Sequence, residues 1–528
     1  MQHLTLRITQ QTEDQIAIRL MDANGREQDR RALPGHEVRT WLHQAEDYYG
    51  DYFRAHINNL AELGQRLFDW LDGEQRWLQT ALQKYPDLTL SVSVDGDVSQ
   101  ATPKRLRHLP WELLYNGGWL CGHATRPFTP ARNIAPFSET AAQEAHNRPL
   151  RVLFVACSPI NVTPVLAYEK EEVAILRTTQ KHGIELVVEE TGSLRGLRER
   201  LAAYGKGYFD VVHLTGHAAL IDNKDGGETP VFVMENDLGK RQDASAVDLN
   251  EAFQGRLPRL LFLSGCHTGE APQIGAMPSL AEAMVNAGIG AVLGWALPVL
   301  DSTGIASAMR LYEQLASGMD VDEAVARTRN SLLADYNKSL TKPEGPDFPD
   351  WHMLRMYCQP NALTALVTAP RTEKRKPLPR IKPLSHDFVD LNQKMRVCPS
   401  DQFVGRRRAM QRCLAALQHL AIDDLCPQGV QITGIGGVGK SSLAARLCQR
   451  MTDTHKRRVV LFGVLDEAYL EKSLNDALGD LPNFIETLSP PKEVLALKFR
   501  LRRVLSDILV EYPTLFVLDD FEQNLEPV

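Results

Sequence analysis

The stretch 209-FDVVHLTGHA-218 decides the fold when it is set beside 258-PRLLFLSGCHTGE-270. Each is an apolar run that stops at a glycine followed by a chemically capable side chain, His217 in the first and Cys266 in the second. Near-continuous apolar runs are expected of strands covered on both faces. In open α/β sheets the carboxyl ends of the strands are where ligands bind. The two runs therefore predict one sheet edge carrying a histidine and a cysteine. A thiol is largely protonated at neutral pH. A nearby imidazole raises its thiolate fraction and later protonates a leaving amine. The glycines let the backbone turn sharply, and the amides of Gly265 and Cys266 are candidate oxyanion donors.

The flanking sequence carries the same alternation outward. From about residue 149 the chain reads "LRVLFVAC", a helical stretch near 168–182, "IELVVEE", and a second helix over 194–204. After the first decisive stretch comes the hairpin-like "PVFVMEND". After the second come a helix at 279–287, "GAVLGWA", and an amphipathic helix from near Thr303. Strands alternating with helices predict an α/β fold, a mostly parallel sheet with helices on both faces. The first 50 residues read as a short β-unit, "LTLRIT" and "QIAIRLMD". Leu60, Leu63, Leu67, Trp70, Leu71 and Leu78 give 55–83 a helical period, and "LTLSVSV" at 88–94 alternates as a strand. No internal repeat is evident.

Composition bounds the function classes. The 528 residues are 43% hydrophobic and 24% charged, with a net charge of −7, which favours neither nucleic acid nor an acidic membrane surface. The opening "MQHLTLRITQQ" lacks the apolar core of a signal peptide, and Ile289–Leu300 is too short to span a bilayer. Eight cysteines without a CxxC pair fit a reduced, cytoplasmic setting.

Several neighbours of the two strands have ordinary roles to fill. His213 lies four residues before His217 on the same strand face and nearer the sheet centre, which suits a packed, hydrogen-bonded histidine. His267 falls in the turn after the cysteine. Asp210, Asp248 and Asp301 read as caps or solvated turns, with a pocket for a basic side chain as the alternative. Trp111 and Glu112 suit a structural role, with bracing of the site from the first subdomain as the alternative.

His217 and Cys266 are about 50 residues apart, the caspase spacing. "VVHLTGHA" resembles the caspase-like block ending in His-Gly, and "LLFLSGCHTG" the block ending in Ala-Cys. With "PWELLY" at Pro110–Tyr115, "LAEAMVNAGIGAVLGWALPVLD" and "PDWHMLRMYC" at 349–358, the chain resembles a CHAT domain, a caspase-like peptidase family, over about residues 88–366. The resemblance implies a cysteine endopeptidase with a His217–Cys266 dyad, acting on a protein substrate. Ala218 stands where such families usually carry glycine, Gly265 where alanine is common, and Gln-Ala-Cys is absent. An inactive adaptor that only binds a partner is therefore the alternative reading.

A second signal is "GIGGVGKS", Gly434–Ser441, which meets the GxxxxGK[ST] pattern. "GVQIT" is expected to precede it as a strand, and "SSLAARLCQRM" to follow as a helix. Gly434, Gly436, Gly437 and Gly439 let backbone amides wrap phosphates at a helix N-terminus. Lys440 is placed to reach the β/γ-phosphates and Ser441 to hold Mg²⁺. "TLFVLDD" at 514–520 supplies Asp519 for Mg²⁺ and Asp520 for orienting a water. With "FVGR" at Phe403–Arg406, this part resembles the start of a STAND ATPase of the NB-ARC or NACHT kind. The resemblance implies ATP or ADP with Mg²⁺ as cofactor and Arg406 at the nucleotide edge. It also implies a homo-oligomer on activation, a C-terminal sensor for an upstream trigger, and a role in signalling or bacterial immunity. Because the chain stops at "FEQNLEPV", a segment of a longer protein is expected.

The expected organisation is an N-terminal α/β subdomain at 1–147, a caspase-like subdomain at 148–367, a basic proline-rich linker at 368–400, and a partial, incomplete P-loop NTPase domain at 401–528. Neither nucleic acid nor membrane is expected as a partner.

Overall fold

Residues 260–265 are buried without exception, and so are 291–295, as a strand roofed on both sides requires. The computed structural model describes residues 1–12, 14–22, 24–50, 57–95, 105–123, 125–134, 143–163, 168–222, 228–265, 276–297, 299–342, 349–370, 395, 397–398, 403, 405–418, 429–451, 457–489 and 495–525. Cys266 and His267 lie outside the described residues. Two compact units partition the chain, one of Met1–Met234 with Arg241–Pro379, the other of Glu235–Lys240 with Arg380–Val528.

The first unit is built on a 13-stranded sheet. Its strands are β1 Gln2–Thr12, β2 Gln15–Met21, β3 Glu27–Pro34, β4 Leu88–Asp95, β5 Phe128–Asn133, β6 Leu150–Ala156, β7 Ile184–Glu189, β8 Val211–Asp222, β9 Glu228–Glu235, β10 Arg241–Ser245, β11 Leu260–Gly265, β12 Ala291–Trp295 and β13 Leu354–Cys358. The path runs β10-β9-β8-β11-β12-β13-β5-β4-β1-β2-β3, and β6 joins β8 to β7. The strands around β8 and β11 are parallel to one another, as are β1, β4 and β5, whereas β2, β3 and β13 pair antiparallel on at least one side. The 1–147 and 148–367 segments thus share one sheet: β13 pairs β5, with Tyr357 opposite Arg132.

Helices are α1 Gly35–Gly50, α2 Ile57–Asp72, α3 Trp77–Lys84, α4 Tyr168–Lys181, α5 Leu194–Tyr204, α6 Ala246–Phe253, α7 Ala276–Asn286, α8 Asp301–Ala316 and α9 Val321–Ser339. Strand alternation sorts the core into two faces. On one, Phe154 and Phe262 pack with Tyr168 and Ile175 of α4 and with Leu311 and Tyr312 of α8. On the other, Val155, Leu214 and Leu263 pack with Leu197 of α5, Leu249 of α6 and Leu280 of α7.

The second unit has a two-stranded parallel sheet, β14 Arg457–Phe462 with β15 Thr514–Asp519, and the helices α10 Arg407–Gln418, α11 Lys440–Arg450, α12 Glu467–Leu478, α13 Phe484–Leu488 and α14 Leu497–Arg503. The strand expected at "GVQIT" is not formed: residues 429–434 carry no assigned strand. Val430 and Ile432 are held instead by packing against the cluster of Leu443 and Leu447. An apolar run supplies that packing without a β-ladder, which needs a hydrogen-bonding partner strand. Among the described residues no helix is long and apolar enough to cross a membrane.

Candidate active site

β8 changes partners along its length. Its first half lies between β6 and β11, where Thr215 is opposite Ala156 on one side and Ser264 on the other. The last pair with β11 is Gly216 opposite Gly265, and from His217 onward the strand pairs antiparallel with β9, starting at Val233. His217 is therefore the first residue after β8 leaves the parallel sheet, and it is 2% exposed. Gly265 closes β11 in register with Gly216, one position before the cysteine in sequence. Cys266 itself lies outside the described residues.

The glycine before the histidine is required by packing. A Cβ on Gly216 would meet the Phe232 ring at 2.8 and 2.9 Å and the Cys157 Cβ at 3.1 Å. Those neighbours belong to the face opposite His217, so the glycine lets β6, β8 and β9 approach closely where the strand turns over to its new partner.

His213, two alternations earlier, is fully buried. Its ring stacks on Phe262 with centroids 4.5 Å apart and meets Phe154 edge-on at 5.2 Å. Its Nδ1 is hydrogen-bonded to Tyr312 Oη at 2.8 Å, and its Nε2 lies 3.5 Å from Glu171 Oε1. Burial pushes the imidazole down to about 3, so it is neutral across the physiological range. Burial pushes the Glu171 carboxyl up to about 7, with Asp301 adding to the rise. Trp295 Nε1 donates to Ser264 Oγ at 3.5 Å on the adjoining strand.

The acidic residues considered for a pocket lie at or near the starts of elements. Asp210 immediately precedes β8, at the end remote from His217, and its carboxylate accepts from Arg148 at 2.5 and 3.0 Å and from the Arg151 amide at 3.0 Å. Asp248 completes a capping box with Ser245 at the start of α6. Asp301 is the first residue of α8.

The segment around "PWELLY" is tied to the sheet by charge. Glu112 accepts two hydrogen bonds from Arg132 of β5, at 2.6 and 2.9 Å, with all three groups of the Glu112–Arg132–Arg329 cluster fully buried. Arg107 and His108 converge on Glu282 of α7 at 3.0 and 2.8 Å, and Trp111 Nε1 donates to the Arg107 carbonyl at 3.2 Å. Cysteines elsewhere in this unit are poor nucleophiles: burial raises Cys121 to about 11 and Cys358 to about 12.

In the second unit, Lys440 opens α11, and Gly437 and Gly439 hold left-handed backbone at φ 77° and 87°. An added Cβ at Gly436, Gly437 or Gly439 meets nothing within 4 Å, so these positions border open space. Gly434 has φ 154° and its carbonyl accepts from Lys440 Nζ at 3.0 Å. Ser441 Oγ donates to Asp519 Oδ2 at 2.7 Å, bringing together the two residues expected at a magnesium site. Asp520 is left-handed at φ 57° and accepts from Gln523 Nε2 at 2.8 Å. Arg406 is exposed, also left-handed, at the start of α10.

A mostly parallel α/β sheet with a histidine where its central strand turns over defines the class. The chain belongs to the CHAT domain family, whose sequence profile matches residues 61–377. Two solved structures are similar at 10% identity. The complex of Porphyromonas gingivalis RgpB pro- and mature domains aligns over 61% of this chain and 72% of that one, with a TM-score of 0.31. The structure of pro-sf-caspase-1 aligns over 45% of this chain and 98% of that one, with a TM-score of 0.27. Both scores are low, and the family match stands without them. No curated protein matches the chain.

Sequence reasoning missed Glu171 and Tyr312. Glu171 sits in "YEKEEVA", which has the charge density of a solvated helix face. Only the packing of α4 against β8 and α8 buries it.

Proposed function

We propose that this chain is a cysteine endopeptidase in which His217 is the base and Cys266 the nucleophile. The observation that carries the reading is the parallel register of Gly216 with Gly265, one residue before the histidine and the cysteine respectively. The imidazole takes the thiol proton, and the thiolate attacks the scissile carbonyl. The amides of Gly265 and Cys266 stabilise the oxyanion. The imidazolium then protonates the leaving amine, and water hydrolyses the thioester.

The second unit is proposed as a nucleotide-binding module of the STAND type, regulating the peptidase through assembly. Its support is the open glycine loop at the N-terminus of α11 and the Ser441–Asp519 hydrogen bond. Lys440 and the loop amides would hold the phosphates, while Ser441 and Asp519 would hold Mg²⁺, which supplies charge neutralisation. A signalling or defence role, with a trigger and homo-oligomerisation, extends this reading.

The test is cleavage of a peptide library by the full chain. Cys266→Ala and His217→Ala are each expected to abolish cleavage with the fold intact. The double variant is expected to be little worse than either single one, because the groups act as a unit. Cleavage persisting in Cys266→Ala overturns the assignment.

A further inference from the structure

The chain passes from the first compact unit to the second between Met234 and Glu235, and returns between Lys240 and Arg241. The turn joining β9 to β10 therefore belongs to the second unit, although β9 is the antiparallel partner of β8 from His217 onward. Val233 lies directly opposite His217, and Glu235 is the next residue on the same face of β9. Asn236 shapes the turn, its side-chain oxygen accepting from the Leu238 and Lys240 amides, each at 3.0 Å.

Glu235 is fully buried, and two buried arginines of the same unit hold it. Arg407, the first residue of α10, donates from Nη2 to Glu235 Oε1. Arg450, the last residue of α11, has its Nη2 3.7 Å from Glu235 Oε2, and its Nε donates to the Asp237 carbonyl at 3.3 Å. Replacing a buried ion pair by apolar residues of like volume is often neutral or stabilising, and the best-attested use of such a pair is to fix a register or a switch. Both arginines are placed for that use. Arg407 follows Arg406, the left-handed residue expected at the nucleotide edge. Arg450 closes the helix that Lys440 opens, about 15 Å away along one rigid element. Packed helices shift as units, so a displacement of the N-terminus of α11 reaches Arg450 and the carboxylate it holds. That carboxylate is two residues from the strand partner of His217.

We propose that Glu235 is a regulatory latch. It ties β9, the strand beside His217, to the helix that begins in the phosphate loop, so that nucleotide occupancy changes the reactivity of Cys266. This rests on the dyad and nucleotide readings above, and the experiment separates the three. In the full chain, the rate of Cys266 alkylation by iodoacetamide is followed by mass spectrometry. It is measured with and without a saturating non-hydrolysable ATP analogue and Mg²⁺, and calorimetry follows binding of the analogue in parallel. Coupling between two sites is typically 5-fold or more, so the parent's alkylation rate is expected to change at least about fivefold on binding. Glu235→Gln keeps the side-chain shape and removes the charge. Arg450→Met leaves the Glu235–Arg407 pair in place, and it decides the matter if Glu235→Gln does not fold. Each variant is expected to bind the analogue yet respond by less than about twofold, the coupling free energy having been lost. A parent rate unmoved by bound analogue overturns the latch, and so do variants that keep the parent's full response. An alkylation rate that His217→Ala leaves unchanged overturns the dyad, whereas failure of the parent to bind the analogue overturns the nucleotide site. Either result takes the latch with it.

Discussion

Gly216 shows how one hydrogen atom in place of a side chain sets the site. The Phe232 ring and Cys157 Cβ already occupy the space a methyl group would take. Phe232 and Cys157 are both fully buried, so neither can swing into solvent. Gly216→Ala is expected to cost about 1–3 kcal/mol of stability through overpacking. It should also displace the strand end that carries His217. Urea unfolding of the full chain checks it, and a variant as stable as the parent contradicts the close approach. At this scale the sequence was legible where chemistry and position coincide. His217 could be picked out because it follows the glycine that ends an apolar run. His213 could be read as a packed histidine because it lies deeper in the same run. Glu171 was opaque, since a glutamate in a charged helix turn carries no local mark of burial.

Elements were legible when their pattern was self-contained. The helix Leu194–Tyr204 has the bounds its period predicts, and Ser193 caps it by accepting from the Gly196 amide. The run "GVQIT" misled because an apolar pattern reports burial and not a hydrogen-bonding partner. β8 continues to Asp222, past the expected end, because β9 folds back beside it. α11 is the element on which the nucleotide proposal turns. Its N-terminus faces the glycine loop, and helix N-termini favour anions. Lys440 Nζ, which donates to the Gly434 carbonyl, is the side-chain charge at that loop. Calorimetry with ATP and Mg²⁺ should detect binding by the full chain, weakened at least about tenfold in Lys440→Ala, the loss of one charge-assisted contact. Equal affinity in both proteins, or none in the parent, contradicts a phosphate-binding role for this loop.

Across the first unit, the pairing of the N-terminal strands was not legible, because it joins residues far apart in sequence. Gln2 lies opposite Leu88, and β5 lies opposite β13 from the far side of the chain. The shared interior has a consequence for acid stability. His213 and His352 are buried and pushed down to about 3, so the folded chain keeps them neutral. Unfolding returns each to an ordinary value of 6.5. Their stabilisation is present above 6.5 and is lost as pH falls from there toward about 3. Glu171 acts in the opposite sense, because its carboxyl is raised from 4.5 to about 7: its contribution is greatest below 4.5 and is lost as pH rises through about 7. The difference in unfolding free energy between the parent and His352→Gln should therefore change by at most about 1.4 kcal/mol per pH unit within the acid window. A difference that stays constant from neutral pH to pH 4 contradicts a neutral buried His352.

The most direct measurement for the whole account is the identity of the residue modified by a peptidyl acyloxymethyl ketone, which alkylates an activated cysteine in a peptidase site. Applied to the full chain and read by mass spectrometry, it is expected to label Cys266 and not Cys121 or Cys358, whose thiols burial holds at about 11 and about 12. Labelling should disappear in His217→Ala. Labelling spread over other cysteines, or undiminished without His217, contradicts a peptidase built on the paired ends of β8 and β11.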